Sequence, residues 1–473
     1  MLELEGMTVT VHTAAPPASR WLVLGLLGAG QFMLILDITV VNVALPHISA
    51  DLRLDRTALT WVVTAYTLMF GGLMLLGGRL ADLLSARRTL LAGLAVFTAA
   101  SLVSGTAGSA ATLIAGRALQ GVGAALLSPA ALSIVATTFS GTERHRALGV
   151  WAALGGSGAA IGVLLGGLLT AGPGWRWIFF VNLPVGAVVL VALAVLMRGW
   201  PAARRRERLD LPGAVLVTAA TAAAIYGLTN AGDDGWTGAG TLVPLGAAVL
   251  LGAGFVALER RLRAPLVDPR LLAHRPMAAG ALLMLVATAL LVGGFFVGSF
   301  WLQHGRGYGA LATGLAFVPV AVATVLGAHL ASRAVGRTGG RAVAVTGLTV
   351  AAAGAATAAV WSGPAGLVTG IAIVAAGAGA TFVAATTTAL AHVAPDRAGV
   401  ASGVVNTFHE LGGAIGVAVV SSVAAASLSP GAGGDGFVDA LVVAAVTAIA
   451  AAALALVAVP GGRPPAGAVA HVH

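Results

Sequence analysis

Long apolar runs succeed one another along this chain, separated by short polar connections. Each is close to the roughly 20 residues with which an α-helix crosses a hydrocarbon core. Fourteen are legible: 21–45, 58–78, 89–107, 111–138, 147–170, 177–197, 211–230, 241–258, 277–302, 310–331, 342–361, 365–391, 398–425 and 437–460. The pattern predicts an all-α polytopic membrane protein, and an even number of spans places both ends on one side. The first run carries Asp37 near its middle, in Leu36 to Pro46. A carboxylate there costs roughly 2.5–3.5 kcal/mol on insertion scales, so it faces a wet cavity or a partner.

Composition agrees. Of 473 residues, 58% are hydrophobic and only 9% charged, against about 25% charged in soluble domains. The absence of cysteine excludes a disulfide framework, thiol catalysis and Cys-ligated metal, and 66 glycines suit close helix packing in lipid. The net charge of +9 raises nucleic acid as a partner, but its distribution argues against it. All 26 basic residues are Arg, which with the Ala and Gly excess suggests a GC-rich bacterial genome. With the N-terminus cytoplasmic, 21 of them fall in inside loops and tails and four outside (Arg53, Arg56, Arg176, Arg306), leaving Arg117 within a span. The positive-inside rule therefore predicts cytoplasmic N- and C-termini. The run Arg204 to Arg208 reads as a topogenic loop near lipid headgroups. Residues 1–20 lack the apolar core of a cleavable signal.

The chain repeats itself. Gly158-Ala-Ala-Ile-Gly-Val163 recurs as Gly412-Gly-Ala-Ile-Gly-Val417, an offset of 254, and Gly78-Arg-Leu-Ala-Asp82 has a degraded echo in Ala328-His-Leu-Ala-Ser332, an offset of 250. The expected organisation is a tail (1–20), a six-helix bundle (21–198), a linker with an extra helix pair (199–276), a second six-helix bundle (277–460) and a tail (461–473). Parallel repeats of this kind belong to transporters whose site lies between the halves. Spans 7 and 8 are expected to form a peripheral, accessory pair.

Four stretches together resemble one family. Gly78-Arg79-Leu80-Ala81-Asp82 followed by Arg87-Arg88 is similar to the loop signature of the major facilitator superfamily, and Ala115 to Gly123, continuing to Pro129, to its fourth-span motif. Leu36 to Pro46 and Trp175 to Gly186 resemble hallmarks of its 14-span drug:proton antiporters. The resemblance implies the major facilitator fold, two six-helix bundles plus two extra spans, working by alternating access. There are departures. Leu83, Ser85 and Ala86 stand where the family has a basic residue, glycine and arginine. The span 5 motif has Gly162-Val163 in place of Gly-Pro, which loses the proline kink.

Candidate residues follow. Asp37 and Glu410 are read as the proton-exchanging acids, with Arg117 and His409 beside them. Arg117 is either a brace for helix backbones or the cation that tunes Asp37; the resemblance favours the second. Asn406, His409 and Glu410 are spaced to share one helical face. Asn42, Gln120 and Asn406 are candidates for orienting a substrate. Gly78, Asp82, Arg87 and Arg88 form a gating latch, or else a solvated turn that only sets topology. Gly158, Gly162, Gly166, Gly412 and Gly416 are helix-packing positions. Trp175, Arg176 and Trp177 read as an interfacial belt. No metal-ligand spacing, clustered Ser/His/Asp set or Walker motif appears, so neither an enzyme nor an ATP-driven pump is expected and no cofactor is required. The expectation is a monomeric transporter in a bacterial inner membrane, surrounded by lipid, exchanging protons for small hydrophobic or amphipathic drugs or antibiotics. Export of an endogenous lipid or natural product, and import of a nutrient by proton symport, are the alternatives.

Overall fold

The computed structural model describes residues 17–139, 143, 147, 161–198, 210–262, 265–267, 269–391, 393, 398–425 and 435–461. They form the helices α1 (Pro17–Leu52), α2 (Arg56–Leu83), α3 (Ala86–Gly105), α4 (Ala110–Thr138), α5 (Ile161–Ala171), α6 (Trp177–Phe180), α7 (Asn182–Leu196), α8 (Leu211–Asp234), α9 (Ala239–Glu259), α10 (Pro269–Ala273), α11 (Arg275–Phe300), α12 (Ala310–Thr338), α13 (Gly340–Val360), α14 (Pro364–Leu390), α15 (Ala398–Val423) and α16 (Asp435–Ala458). A π-helical turn, Trp301–Gly305, extends α11. Thirteen helices among the described residues are long and apolar enough to cross a membrane. The fifth predicted span is described only through α5, and Gly158 lies outside the described residues.

Polar side chains start several helices by accepting otherwise orphaned backbone N–H groups. Asp55 caps α2 through Ala58 N at 2.6 Å, Ser109 caps α4 through Thr112 N at 3.2 Å, and Asp210 caps α8 through Gly213 N at 2.9 Å. Ser85 caps α3 through Arg88 N at 3.3 Å while holding φ at +152°, backbone space that glycine enters at no steric cost. The family's glycine at this position thus has a physical reason, and serine exchanges that freedom for a cap.

Without a hydrophobic force to drive apolar helices together in lipid, their association rests on close van der Waals contact between small residues. Here those contacts recur at a nearly constant sequence offset. Gly77 of α2 lies against the Ala125 carbonyl of α4, and Gly327 of α12 against the Ala376 carbonyl of α14. Gly93 and Gly123 bring α3 onto α4, as Gly347 and Gly377 bring α13 onto α14. Gly162 meets Thr39 between α5 and α1, as Gly416 meets Ala289 between α15 and α11. Matched positions differ by 250 to 254 (77 to 327, 162 to 416), the spacing of the sequence repeat. A first set, α1 to α7, and a second, α11 to α16, therefore share one packing scheme.

Among the described residues, three joints hold the two sets together at the end that carries the α1–α2 turn. Between α1 and α11, Ser299 Oγ donates to Asn42 O (2.8 Å) and Gln303 Nε2 to Val43 O (2.9 Å). Between α2 and α15, the Thr60 and Ser421 hydroxyls lie 2.7 Å apart. Between α5 and α12, Gly167 meets Ala310 and Gly314 meets the Val163 carbonyl. The last two joints are themselves repeat equivalents, 60 to 310 and 167 to 421. This end of the molecule is closed.

The extra pair divides in character. Helix α9 packs on α8 and leaves Val243, Val249 and Leu250 exposed, as expected of a peripheral element. Helix α8 is not peripheral: it lies against both α2 and α15. Thr218 fills the space over Gly72, and Asp233 pairs with Arg56 at 2.5 Å. At the opposite end, Arg79 donates to Pro265 O at 2.6 Å, and Glu259, closing α9, accepts from Val267 N at 3.2 Å. Segment 265–267 thereby ties the extra pair to the end of α2.

Candidate functional site

The acid in the first span has a full set of partners. Asp37 is 2% exposed and Arg117, from α4, is 1% exposed. Arg117 Nη1 donates to Asp37 Oδ2 and, at 2.8 Å, to Gln120 Oε1. Gln120 Nε2 donates to Asp37 Oδ1 at 2.9 Å and to Ser101 Oγ at 2.9 Å, while Ser104 Oγ donates to Gln120 Oε1 at 3.3 Å. Asn182 of α7 reaches the same Asp37 oxygen at 3.2 Å. Arg117 Nε donates to Val62 O at 3.1 Å, and its guanidinium lies 4.4 Å from the centre of the Tyr66 ring. Helices α1, α2, α3, α4 and α7 thus converge on one ion pair.

The two readings open for Arg117 meet here, because it braces the α2 backbone at Val62 and pairs with Asp37 together. An isolated charge in a low-dielectric interior is costly, so burial of both ions depends on the pair and its hydrogen bonds. The glycines of the fourth-span motif permit the approach. Gly116 leaves room for Ser104, Gly121 for the Tyr66 carbonyl, and Gly123 for Phe97.

The three residues suggested for substrate contact occupy three environments. Gln120 is fully buried with its amide engaged on both ends. Asn42 is 5% exposed in the α1–α11 joint, where it donates to Ile38 O at 3.0 Å. Asn406 is exposed.

The face expected to unite Asn406, His409 and Glu410 is divided. His409 turns toward α11, its Nδ1 2.9 Å from Thr288 Oγ1, and packs on Phe382. Glu410 faces α2, where its Cβ lies against Gly71. It is 8% exposed and, among the described residues, has no hydrogen-bond or ion-pair partner. Adjacent helical residues are about 100° apart, so two packed neighbours take them in different directions.

Of the loop residues, Arg87 donates to Ala194 O at 2.9 Å, binding the start of α3 to the last turn of α7, where free carbonyls favour a cation. Gly78 faces Pro129 in loose contact. The Asp82 side chain lies outside the described residues. Gly166 approaches Val40, and Gly412 approaches Leu285. Trp175 corrects the expected interfacial belt. It is 5% exposed and donates Nε1 to Asp51 at 3.0 Å, while Arg176 binds Asp51 at 2.7 Å and Trp177 alone is exposed. The Trp175 ring packs into the core beside Phe179, and its Nε1 together with Arg176 reaches out to Asp51, which is exposed at the end of α1.

Ser101, Ser104, Asn182 and Tyr66 belong to the charged cluster and are absent from the residues that the sequence pattern marks. Asn182 lies within the Trp175 to Gly186 stretch. Ser101 and Tyr66 are polar groups within apolar runs, the same signal that marks Asp37.

Residues 27–417 match the family described as Major Facilitator Superfamily. The chain belongs to that superfamily. It is 40% identical over 88% of its length to the puromycin resistance protein pur8 of Streptomyces alboniger, covering 84% of that protein. It is 39% identical over 84% of its length to the cephamycin export protein CmcT of Amycolatopsis lactamdurans, again covering 84%. Among solved structures, a bacterial homologue of the human lysosomal transporter Spinster, inward-facing and unoccupied, superposes with a TM-score of 0.66 at 17% identity, over 94% of this chain and 97% of that one. The superfamily member described here is a multi-pass membrane transporter, not an enzyme.

Proposed function

We propose that this chain exports amphipathic or hydrophobic antibiotics in exchange for protons, with both termini in the cytoplasm. The relatives named for puromycin resistance and cephamycin export supply the substrate class. The arginine distribution supports the orientation, which puts the closed α1–α2 end on the outer face and leaves substrate to enter from the cytoplasmic side.

The observation that carries proton coupling is the contrast between two buried carboxyls, one in each helix set. Asp37 is held by a cation and two amides, whereas Glu410 has no partner among the described residues. A carboxyl that no protein group holds is the one left to exchange its proton, and an acid within a span is costly unless it has such a role. Protons then enter at Glu410 or Asp37 from the outer face and leave toward the cytoplasm as the helix sets rock. One charge falling through 100 mV releases about 2.3 kcal/mol, and a pH gradient adds to it. The apolar walls accept a range of substrates, with Asn406 as an exposed polar contact.

The test is uptake into inside-out proteoliposomes under an imposed pH gradient, with puromycin among the probes. Wild-type protein is expected to accumulate drug when the lumen is acidic and to lose this when the gradient is collapsed. Glu410→Gln is expected to reduce gradient-driven uptake about a hundredfold or more while inserting normally, the scale of a lost general acid–base group. Gradient-independent uptake by wild-type protein would refute proton coupling.

A further inference from the structure

Helix α8 touches both helix sets, and its two contacts differ in kind. Toward α2 it is keyed. Thr218 seats over Gly72, its Oγ1 2.7 Å and its Cβ 3.3 Å from where a methyl on that glycine would stand. At the end that carries the α1–α2 turn, Asp233 accepts both prongs of Arg56, at 3.3 Å from Nε and 2.5 Å from Nη2. Such a fork fixes direction as well as distance. Toward α15 the surface is smooth. Ile225 of α8 lies in a small cluster with Leu68 of α2 and with Ala414 and Ala418 of α15, and Gly232 lets the Ser422 α-carbon approach. Among the described residues no hydrogen bond or ion pair joins α8 to α15, and the buried Ser422 hydroxyl has no partner.

The rest of the extra pair follows α8. Asn230 Nδ2 donates to Gly240 O of α9 at 3.3 Å, and Gly227 rests on the Thr241 carbonyl. At the opposite end Arg79, again from α2, donates to Pro265 O at 2.6 Å. The next two residues, Leu266 and Val267, pack instead with Met277 in the core of the second set. Val267 N, donating to Glu259 Oε2 at 3.2 Å, spans this crossover.

A transporter must open the end that is closed here, and opening it parts α2 from α15 at Thr60 and Ser421. Helix α8 cannot follow both. Packed helices shear where they meet through small, unbonded side chains, whereas a knob seated in a notch and a forked ion pair hold their register. We propose that the extra pair travels with the first helix set as one body, and that α15 slides along α8 on its alanine face when the closed end opens. The boundary between the moving bodies then falls at 265–267. The inference holds whatever drives the sets apart.

The test uses the absence of native cysteine. Ile225→Cys on α8 is combined with Leu68→Cys on α2, or with Ala414→Cys or Ala418→Cys on α15, and each protein is oxidised and then reduced in proteoliposomes. Oxidation is expected to leave gradient-driven puromycin uptake within about twofold when α8 is linked to α2, and to lower it about tenfold or more when α8 is linked to α15, as when a required conformational step is blocked. Reduction should restore the second case. Each protein is its own reduced control, so a folding defect does not imitate the result. Loss of uptake in the α2-linked protein with retention in the α15-linked ones would place the pair with the second set and overturn the proposal. Equal responses would overturn it too. If even wild type takes up no puromycin, drug export is what fails, and spin labels at the exposed Leu102, Val243 and Val360 read the same motion without a substrate. The separation of 102 from 243 is expected to keep one narrow distribution while those of 360 from both broaden together. A narrow distribution between 243 and 360 beside a broad one between 102 and 243 would overturn the proposal.

Discussion

Asp37→Asn and Arg117→Gln are each expected to destabilise the protein by about 3–5 kcal/mol, because each leaves one ion buried without its counter-charge. The double variant is expected to be more stable than either single one, since it removes both charges from a site that is 1–2% exposed. Thermal unfolding of the four proteins in detergent closes the cycle, and the coupling energy between the two sites should be the largest in the molecule. Transport should not follow stability. All three variants are expected to lose gradient-driven uptake, because none retains an intact pair of Asp37 and Arg117. Recovery of transport together with stability in the double variant would show that the pair is a brace only.

The second large effect is predicted where backbone meets backbone. A methyl added at Gly77 would overlap the Ala125 carbonyl oxygen, and one at Gly327 would overlap that of Ala376. Neither oxygen belongs to a side chain that can rotate away, so alanine at either site must push two helices apart. Overpacking of this kind costs about 1–3 kcal/mol and sometimes more. Gly77→Ala and Gly327→Ala should lower the unfolding temperature to a similar degree, since the two glycines serve equivalent crossings in the two helix sets. Gly246 and Gly252 in α9 provide the contrast, with nothing among the described residues within 4 Å of an added methyl. Alanine there is expected to be neutral or stabilising by up to about 1 kcal/mol through helix propensity. Equal tolerance at positions 77 and 246 would contradict the close approach of α2 and α4.

Helix positions, the repeat and the importance of Asp37 and Arg117 are legible in the sequence for a common reason. Each rests on a cost that lipid imposes locally. An apolar run of span length has no inexpensive soluble alternative, and a charge within it demands an explanation whatever its neighbours. The glycine motif at 115–123 is likewise visible as a pattern of small residues. Its partners, Ser104, Tyr66 and Phe97, are not, because a small residue announces only that something comes close.

Directions and partners were decided by the tertiary structure. The spacing of Asn406, His409 and Glu410 suggests one face, but α11 claims His409 and α2 claims Glu410. Gln120 looks available to a substrate until Asp37, Ser101 and Arg117 converge on its amide. Trp175 looks like a membrane anchor until its ring packs into the core beside Phe179, with Nε1 reaching out to Asp51. Helix α8, one of two similar extra spans in the sequence, becomes a contact between the helix sets while α9 stays outside. The sequence by itself thus determined which segments lie in the membrane and which residues are too costly there to be idle. Which of those residues meet depended on contacts between segments far apart in the chain, as between Arg117 and Val62 or Thr60 and Ser421. Spacing along one helix constrains a side chain only to a face, and the packing of its neighbours decides what that face touches.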